Sequence, residues 1–278
     1  MSDSAHWGLP LPQVLVLEQS GVDRFAARLD GFGGITLGCA ALAAGLTTDR
    51  PLHALHAWFL RPPPLDRPVE IGVERVRDGR RLAQRRATVR SGETLLCELL
   101  ASYATPAPGL EAQDVKLDAS VPAPETLESE EQIAQREGWK VGGPGPLGGP
   151  LEWRWVGGTP WSSTAACEDS RYGAWVRPRF PLPEPRAWHA AALAYLADYH
   201  SHMSVARWLG GIGEPVGFVS LDQSLWIHRD LVWNDWWHIA TEGVVAHAGR
   251  ALTRRSLHTR DGRLVATMAQ EQLIPAPR

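Results

Sequence analysis

HALHAWFLRP (residues 53–62) and SLDQSLWIHR (220–229) decide the fold, because they read as one strand written twice. Both are rich in aromatic and apolar residues that favour a pleated surface. The first is stopped by Pro62, Pro63 and Pro64, which cannot donate to a strand ladder. Trp58 and Arg61 match Trp226 and Arg229 at a shift of 168 residues. Further on, RRATVRSGETLLCELLASY (85–103) answers RRSLHTRDGRLVATMAQEQL (254–273). Each reads as a hairpin, turning at Ser91-Gly92 or Asp261-Gly262. At a shift of 170, Arg85 falls on Arg255 and Gly92 on Gly262, while Arg86 falls on Ser256. Repetition at this spacing points to a duplicated unit.

Each unit has a helical stretch ahead of its strands. In the first it is GGITLGCAALAAGL (33–46), alanine-rich and opened by two glycines. In the second, Pro185 stands at a first-turn position before RAWHAAALAYLADYHSHMSVARWL. There Trp188, Ala192, Tyr195, Tyr199 and Met203 recur at helical spacing and predict one buried stripe. A helix followed by antiparallel strands, done twice, predicts an α+β fold in which sheets wrap helices. The expected division is an N-terminal unit over 1–110, a Pro/Gly-rich linker over 111–165 and a C-terminal unit over 166–278. The linker contains VPAPE and VGGPGPLGGP, compositions that favour turns, and its later Trp-containing part could pair as an edge strand.

Composition removes several classes of function. With 28 Lys+Arg against 31 Asp+Glu, the net charge of −3 gives no positive excess for nucleic acid or an anionic membrane. No apolar run is long enough to span a bilayer. The start, MSDSAHWGLPLPQVLVLEQ, lacks the basic region of a signal peptide, so a cytoplasmic location is expected. Cys39, Cys97 and Cys167 are odd in number and have no CxxC spacing, against a disulfide framework or structural zinc. His53 and His56, three apart on a strand, are expected on opposite faces, and no metal site is expected from them. There is no GxSxG elbow or GxxxxGK[ST] loop, and GGIGEPVG (210–217) does not follow a strand as a dinucleotide fingerprint requires.

An ordered set of motifs then adds an identity for the fold. FGG (32–34), LHALHAWFLRP (52–62), VERVRDGRR (73–81), LAYLADY (193–199), SLDQSLWIHR and AQEQL (269–273) together resemble the TesB-like acyl-CoA thioesterase II family. The resemblance runs from Gln13 to Ile274 apart from the Pro/Gly-rich middle, and it implies a double hotdog. It also implies hydrolysis of acyl thioesters by an Asp, a Ser or Thr, and a Gln from the second unit, here Asp198, Ser220 and Gln270. It implies an acyl-CoA or acyl-carrier thioester as substrate, no cofactor, fatty acid metabolism as the setting and assembly as a homo-oligomer. The chain departs from the family pattern at Ile35, Ala197, Gln223 and Gln272, where Gln, Ser, His and Gly are usual. Two other readings keep the fold and change the task. One is a hydratase, dehydratase or biosynthetic tailoring enzyme on an acyl thioester; the other is a non-catalytic acyl-binding protein.

The chemistry asks for an activated water and a stabilised oxyanion. Asp198 could take the water's proton, and partial burial would make it a stronger base. Ser220 and Gln270 each offer a donor and an acceptor to hold the water. Gly33 and Gly34 open the first helix without side chains, so a substrate carbonyl could approach its free N–H groups. The repeat is asymmetric at these positions: the shifts of 168 and 170 put Leu52 opposite Ser220 and Leu100 opposite Gln270. This predicts one active half and one supporting half. Each residue also has a structural reading: Asp198 solvated, Ser220 a strand start, Gln270 on an exposed face. Asp222 is a rival base, because alternation puts it on the face of Ser220. Trp226, with Trp233, Trp236 and Trp237, either lines an acyl pocket or fills a sheet–helix interface. Arg85–Arg86 and Arg254–Arg255 read as solvated strand charges in preference to a site for the CoA phosphates.

Overall fold

In the computed structural model, which describes residues 8–138, 149–160, 168–209 and 217–274, the same order of elements occurs twice. After one helical turn, α1 (Leu11–Val14), come β1 (Glu18–Gly21), β2 (Arg24–Ala27) and α2 (Gly33–Gly45). Strands β3 (Leu52–Phe59), β4 (Val69–Asp78), β5 (Leu82–Ser91) and β6 (Thr94–Ala104) complete the first half. A short α3 (Glu130–Glu137) precedes β7 (Leu151–Val156), β8 (Tyr172–Pro178), α4 (Arg186–Asp198) and α5 (Met203–Trp208). The chain ends in β9 (Val219–Ser220), β10 (Asp222–Ile227), β11 (Trp237–His247), β12 (Arg250–Thr259) and β13 (Leu264–Leu273).

All the strands join one antiparallel sheet. Its seam is the pairing of β3 with β10. Outward from the seam the order is β3-β6-β5-β4-β2-β1 on one side and β10-β13-β12-β11-β8-β7 on the other, with β9 paired to β13 off this path. The two orders mirror each other, so β7 holds the place of β1. It arises inside the stretch read as a linker, as does α3, whose start is fixed by a reciprocal capping box between Ser129 and Gln132. At the seam, His56 Nδ1 lies 3.0 Å from the Ser224 hydroxyl, two residues 168 apart. The repeat therefore meets itself there.

Small residues let the two long helices pack closely inside the sheet. Helices α2 and α4 run antiparallel: a Cβ on Gly38 would approach the Ala191 carbonyl, and one on Gly45 would sit 2.9 Å from the Ala187 Cβ. Residues 189–198 of α4 are all buried, since α2 covers one side and the sheet the other. The single stripe expected through Trp188, Ala192, Tyr195, Tyr199 and Met203 does not form on one helix. Helix α4 stops at Asp198, Tyr199 is extended, His200 takes φ 57°, and α5 begins at Met203.

Two arginines that read as solvated are buried, and they explain how the helices end. Helix C-termini present orphan carbonyls and a negative dipole end, which favour a cation. Arg85 donates to the Thr47 hydroxyl at 2.7 Å and the Thr47 carbonyl at 3.2 Å, just past α2, and also pairs with Asp78. Arg255 donates to the carbonyls of Leu196 (3.1 Å), Ala197 (3.3 Å) and Tyr199 at the end of α4. Both side chains are about as buried as core leucines, at 2% exposure. Their neighbours Arg86 and Arg254 are the solvated charges, paired with Glu98 and Glu242.

Strand register corrects two further expectations. A bulge between Leu52 and Ala54 brings His53 to the side of Ser102, so His53 and His56 both face outward. With His56 equivalent to Ser224 at the seam, Leu100 opposes His56 and Ala269 opposes Ser224. The counterpart of Gln270 is thus Ala101, which faces inward, and not Leu100, which is 53% exposed. Cys39 and Cys97 are free and buried. Residues 1–7, Cys167 and 210–216 lie outside the described residues, and with them the expectations on the leader, the third cysteine and most of GGIGEPVG.

Candidate active site

The end of α4 meets the start of α2, and the strand β13 passes beneath both. Asp198 is the last residue of α4 and is 7% exposed. Ser220, from β9, donates to Asp198 Oδ1 at 2.8 Å. Gln270, from β13, donates through Nε2 to the same oxygen and to the Ser220 hydroxyl at 3.1 Å. The three residues expected from separate motifs therefore touch one another.

Their polarity is fixed from the carboxylate outward, because an ionised carboxylate only accepts hydrogen bonds. The Gln270 amide must turn its NH2 to Asp198, which leaves its Oε1 facing away. That oxygen accepts from the Ser201 hydroxyl and, at 3.0 Å, from Gln272 Nε2. Ser201 and Gln272 are thus parts of the cluster that motif reading missed. Ser201 lies in the irregular break after α4, which carries no periodic signal, whereas Gln272 was visible as a departure from the family pattern.

Asp198 Oδ2 faces the start of α2. A Cβ on Gly33 would lie 2.7 Å from it, and the backbone N–H of Gly34 helps to hold the carboxyl pKa down. A side chain at Gly34 would also strike the Tyr195 carbonyl at 2.7 Å, so the approach of the two helices requires glycine here. Burial pushes the Asp198 carboxyl above its usual range, opposed by the donors Ser220 and Gln270, by the charge of Arg255 and by Gly34. A base poised in this way is stronger than a solvated aspartate.

The cluster forms one wall of a cavity of about 910 Å³. Asp198, Ser201, Ser220 and Gln272 line it on the polar side; Phe32, Phe59, Tyr195, Tyr199, Met203 and Phe218 make much of the rest. Phe32 stands edge-on to both Tyr195 and Tyr199, with ring centroids 5.4 Å apart in each case. A largely apolar cleft with a few convergent polar groups suits a small apolar ligand with one reacting centre. Among the described residues no group of His, Cys, Asp and Glu is placed to hold a metal ion.

Two sequence expectations fail here. Trp226 does not line the cavity: it stands on the outer face of β10, opposite Ala54 and edge-on to His56 at 5.3 Å. Inward positions on β10 belong to Gln223 and Leu225, so strand parity turns Trp226 away. Asp222 is not a rival base at this site. The chain breaks at Leu221 between β9 and β10, and Asp222 lies opposite Trp58, accepting the Glu271 N–H at 3.0 Å. Of the other tryptophans, Trp233 and Trp237 stack at 5.3 Å as buried filling.

Comparison with known proteins supplies an independent view. The family model for the acyl-CoA thioesterase C-terminal domain matches residues 124–274, and that for the N-terminal domain matches 26–105. Acyl-CoA thioesterase 2 of Haemophilus influenzae is 28% identical over 254 residues, covering 87% of each chain. Human acyl-coenzyme A thioesterase 8 is 29% identical over 259 residues, covering 87% of this chain and 80% of its own. The crystal structure of an acyl-CoA thioesterase II, TesB2, from Mycobacterium marinum superimposes with a TM-score of 0.78 at 28% identity, over 96% of this chain and 98% of that one.

Proposed function

The chain belongs to the acyl-CoA thioesterase family, and from that premise we propose that Asp198 is the base of its hydrolytic reaction, with Ser220 holding the attacking water and Gln270, whose amide is fully hydrogen-bonded, orienting Asp198 and Ser220. The reaction itself is hydrolysis of an acyl-CoA thioester to the free acid and CoA. The alternatives, hydration, dehydration or acyl binding without turnover, are not favoured by these relatives. One observation carries the site assignment: a buried carboxylate at the cavity wall that gathers Ser220 and Gln270 on one oxygen.

Asp198 draws a proton from water, and the resulting hydroxide adds to the thioester carbonyl carbon. The carbonyl oxygen takes up the negative charge and faces the start of α2, where Gly33 lines the cavity and a first-position helix N–H has no partner within its own helix. Collapse breaks the C–S bond, and the departing thiolate takes the proton from Asp198, restoring the carboxylate. The apolar wall of Phe32, Phe59 and Phe218 suits the acyl chain.

Replacing Asp198 by Asn is expected to lower thiol release from acyl-CoA about 10³-fold without loss of fold. Because burial raises the Asp198 pKa, wild-type activity is expected to fall, as pH drops, at a point above the ordinary carboxylate range. A variant releasing thiol at the wild-type rate would remove Asp198 from the mechanism. Coenzyme A in preference to a carrier protein, a cytoplasmic location and a role in fatty acid metabolism belong to the same reading. Two buried free thiols, each pushed up to about 12 by burial, are in keeping with a reducing compartment. Assembly as a homo-oligomer is supported by Trp58 and Leu100, 62% and 53% exposed beside the seam.

A further inference from the structure

The break after α4 turns on one residue in an uncommon conformation. His200 takes φ 57°, a left-handed backbone that residues with a side chain adopt at a cost and keep only where their surroundings over-determine it. Three aromatic rings clasp its imidazole edge-on, with centroids 5.1 Å away for Trp153, 5.2 Å for Trp155 and 4.5 Å for Tyr199. Both tryptophans come from β7, where they stack on each other. The His200 carbonyl accepts from the Tyr172 hydroxyl of β8, and that hydroxyl accepts from Arg255 Nη2 at 3.3 Å. Arg255 also donates to the Tyr199 carbonyl, so two successive peptide units of the turn are tied down. Burial, and after it His202 and Arg255, push the His200 pKa well below its usual range, so the clasped ring is neutral.

What this turn delivers is Ser201. Its hydroxyl, 2% exposed with the rest of the residue, donates to Gln270 Oε1 and accepts from Gln272 Nε2 at 3.2 Å. With Oε1 so occupied, the Gln270 amide keeps its NH2 on Asp198, and hydrogen bonds in such a chain polarise one another. We propose that His200 is a positioning residue of the hydrolytic site. Clasped by Trp153, Trp155 and Tyr199 and tied through Tyr172, it fixes the turn that sets Ser201 against Gln270 and Arg255 against the end of α4, and so holds Asp198 in its working geometry. This rests on the Asp198 reading of the site. Neither tryptophan lines the cavity, so β7 acts on turnover only through the ring it holds.

The test reads kcat, KM and the acid limb of the pH profile for acyl-CoA hydrolysis by the full chain. Tyr172→Phe removes only the hydroxyl on the His200 carbonyl, at a residue that does not line the cavity. It is expected to lower kcat about tenfold with KM nearly unchanged. It is also expected to raise the acid limb by about half a pH unit, because Gln270 and Arg255 hold the Asp198 pKa down less firmly once the turn loosens. His200→Ala, which empties the clasp, is expected to lower kcat about 10²-fold and to raise the limb in the same direction. His200→Phe refills the clasp with a ring that cannot titrate and is expected to recover most of that loss. The position of the limb does not depend on how much of the sample is folded, so partial misfolding cannot mimic the shift. An unmoved limb in Tyr172→Phe or in His200→Ala overturns the proposal. So does a His200→Phe no better than His200→Ala, which would make the imidazole itself a participant. Asp198→Asn separates the premise: turnover retained there means that the site reading has failed, whereas turnover lost there with an unmoved limb in Tyr172→Phe fails His200 alone.

Discussion

In the first half of the molecule Gly45, Leu52, Ala101 and Tyr103 stand where the second half has Asp198, Ser220, Gln270 and Gln272. The equivalence follows from two thirteen-residue helices, which end at Gly45 and Asp198, and from the strand registers at the seam. Leu52 opposes Tyr103 as Ser220 opposes Gln272. Both halves keep the sheet order, the central helix and a buried arginine at its end. What differs is the space just beyond the helix. Beside α4 it holds a connected set of polar side chains opening on a cavity. Beside α2, a Cβ on Gly45 would already meet Ala187, and the Tyr103 hydroxyl would be 4.0 Å from it. One scaffold thus carries either a wet, directional cluster or a dry, packed end, and four positions decide which.

The comparison breaks most visibly if the second half is given a first-half residue. Gln270→Ala, which copies Ala101, is expected to cut kcat about 10²–10³-fold and to move the acid limb of the pH profile upward. The sign follows from the lost donor: Gln270 holds the Asp198 pKa down, and without it the carboxylate protonates at higher pH. A steady-state pH series checks both effects, and an unshifted limb would separate Gln270 from the base.

A middle-sized effect sharpens what the halves share. Arg255→Met strips three carbonyls at the end of α4 of a charged donor and is expected to cost about 3–5 kcal/mol, measured by urea unfolding. Arg85→Met is expected to cost about 2–3 kcal/mol, because Asp78 is half exposed and can be rehydrated. Only the first is expected to raise the acid limb of activity, since Arg255 alone of the two acts on Asp198.

The smallest effect concerns Tyr103, whose buried hydroxyl has no partner among the described residues. Tyr103→Phe removes an unmet polar group and is expected to leave turnover unchanged and to stabilise by about 1 kcal/mol or less, read from the thermal midpoint. A loss of activity in this variant would mean that the first half takes part in the chemistry through that hydroxyl.

These contrasts also mark where sequence reading succeeded. The hairpins were legible because Gly92 and Gly262 take positive φ at the turns, and the repeat was legible because the strands on either side of the seam share their aromatic pattern. That Asp198, Ser220 and Gln270 come together was legible because each sits at a motif position. What stayed hidden depends on parity. Trp226 and Leu100 face outward, Arg255 faces inward, and a one-residue change of register exchanges those faces. Bulges and breaks at Leu52, Val89 and Leu221 alter the count along the chain, so a uniform shift of 170 aligned Arg85 with Arg255 although the ladders, pairing Ala87 with Leu99 and Arg255 with Met268, make Ala87 the counterpart of Arg255. The two arginines reach equivalent helix ends from different rungs.

The close approach of Gly33 and Asp198 has a further consequence. Asp198 comes from one half and the helix that faces it from the other, so on the proposed mechanism neither half holds a complete centre. Separated fragments would each be inert, and any recovery of turnover on mixing them would have to report complementation across the seam. On that mechanism the covalent join does more than tether two halves: the first half carries Gly45 where the second has Asp198, yet lends its helix to the second.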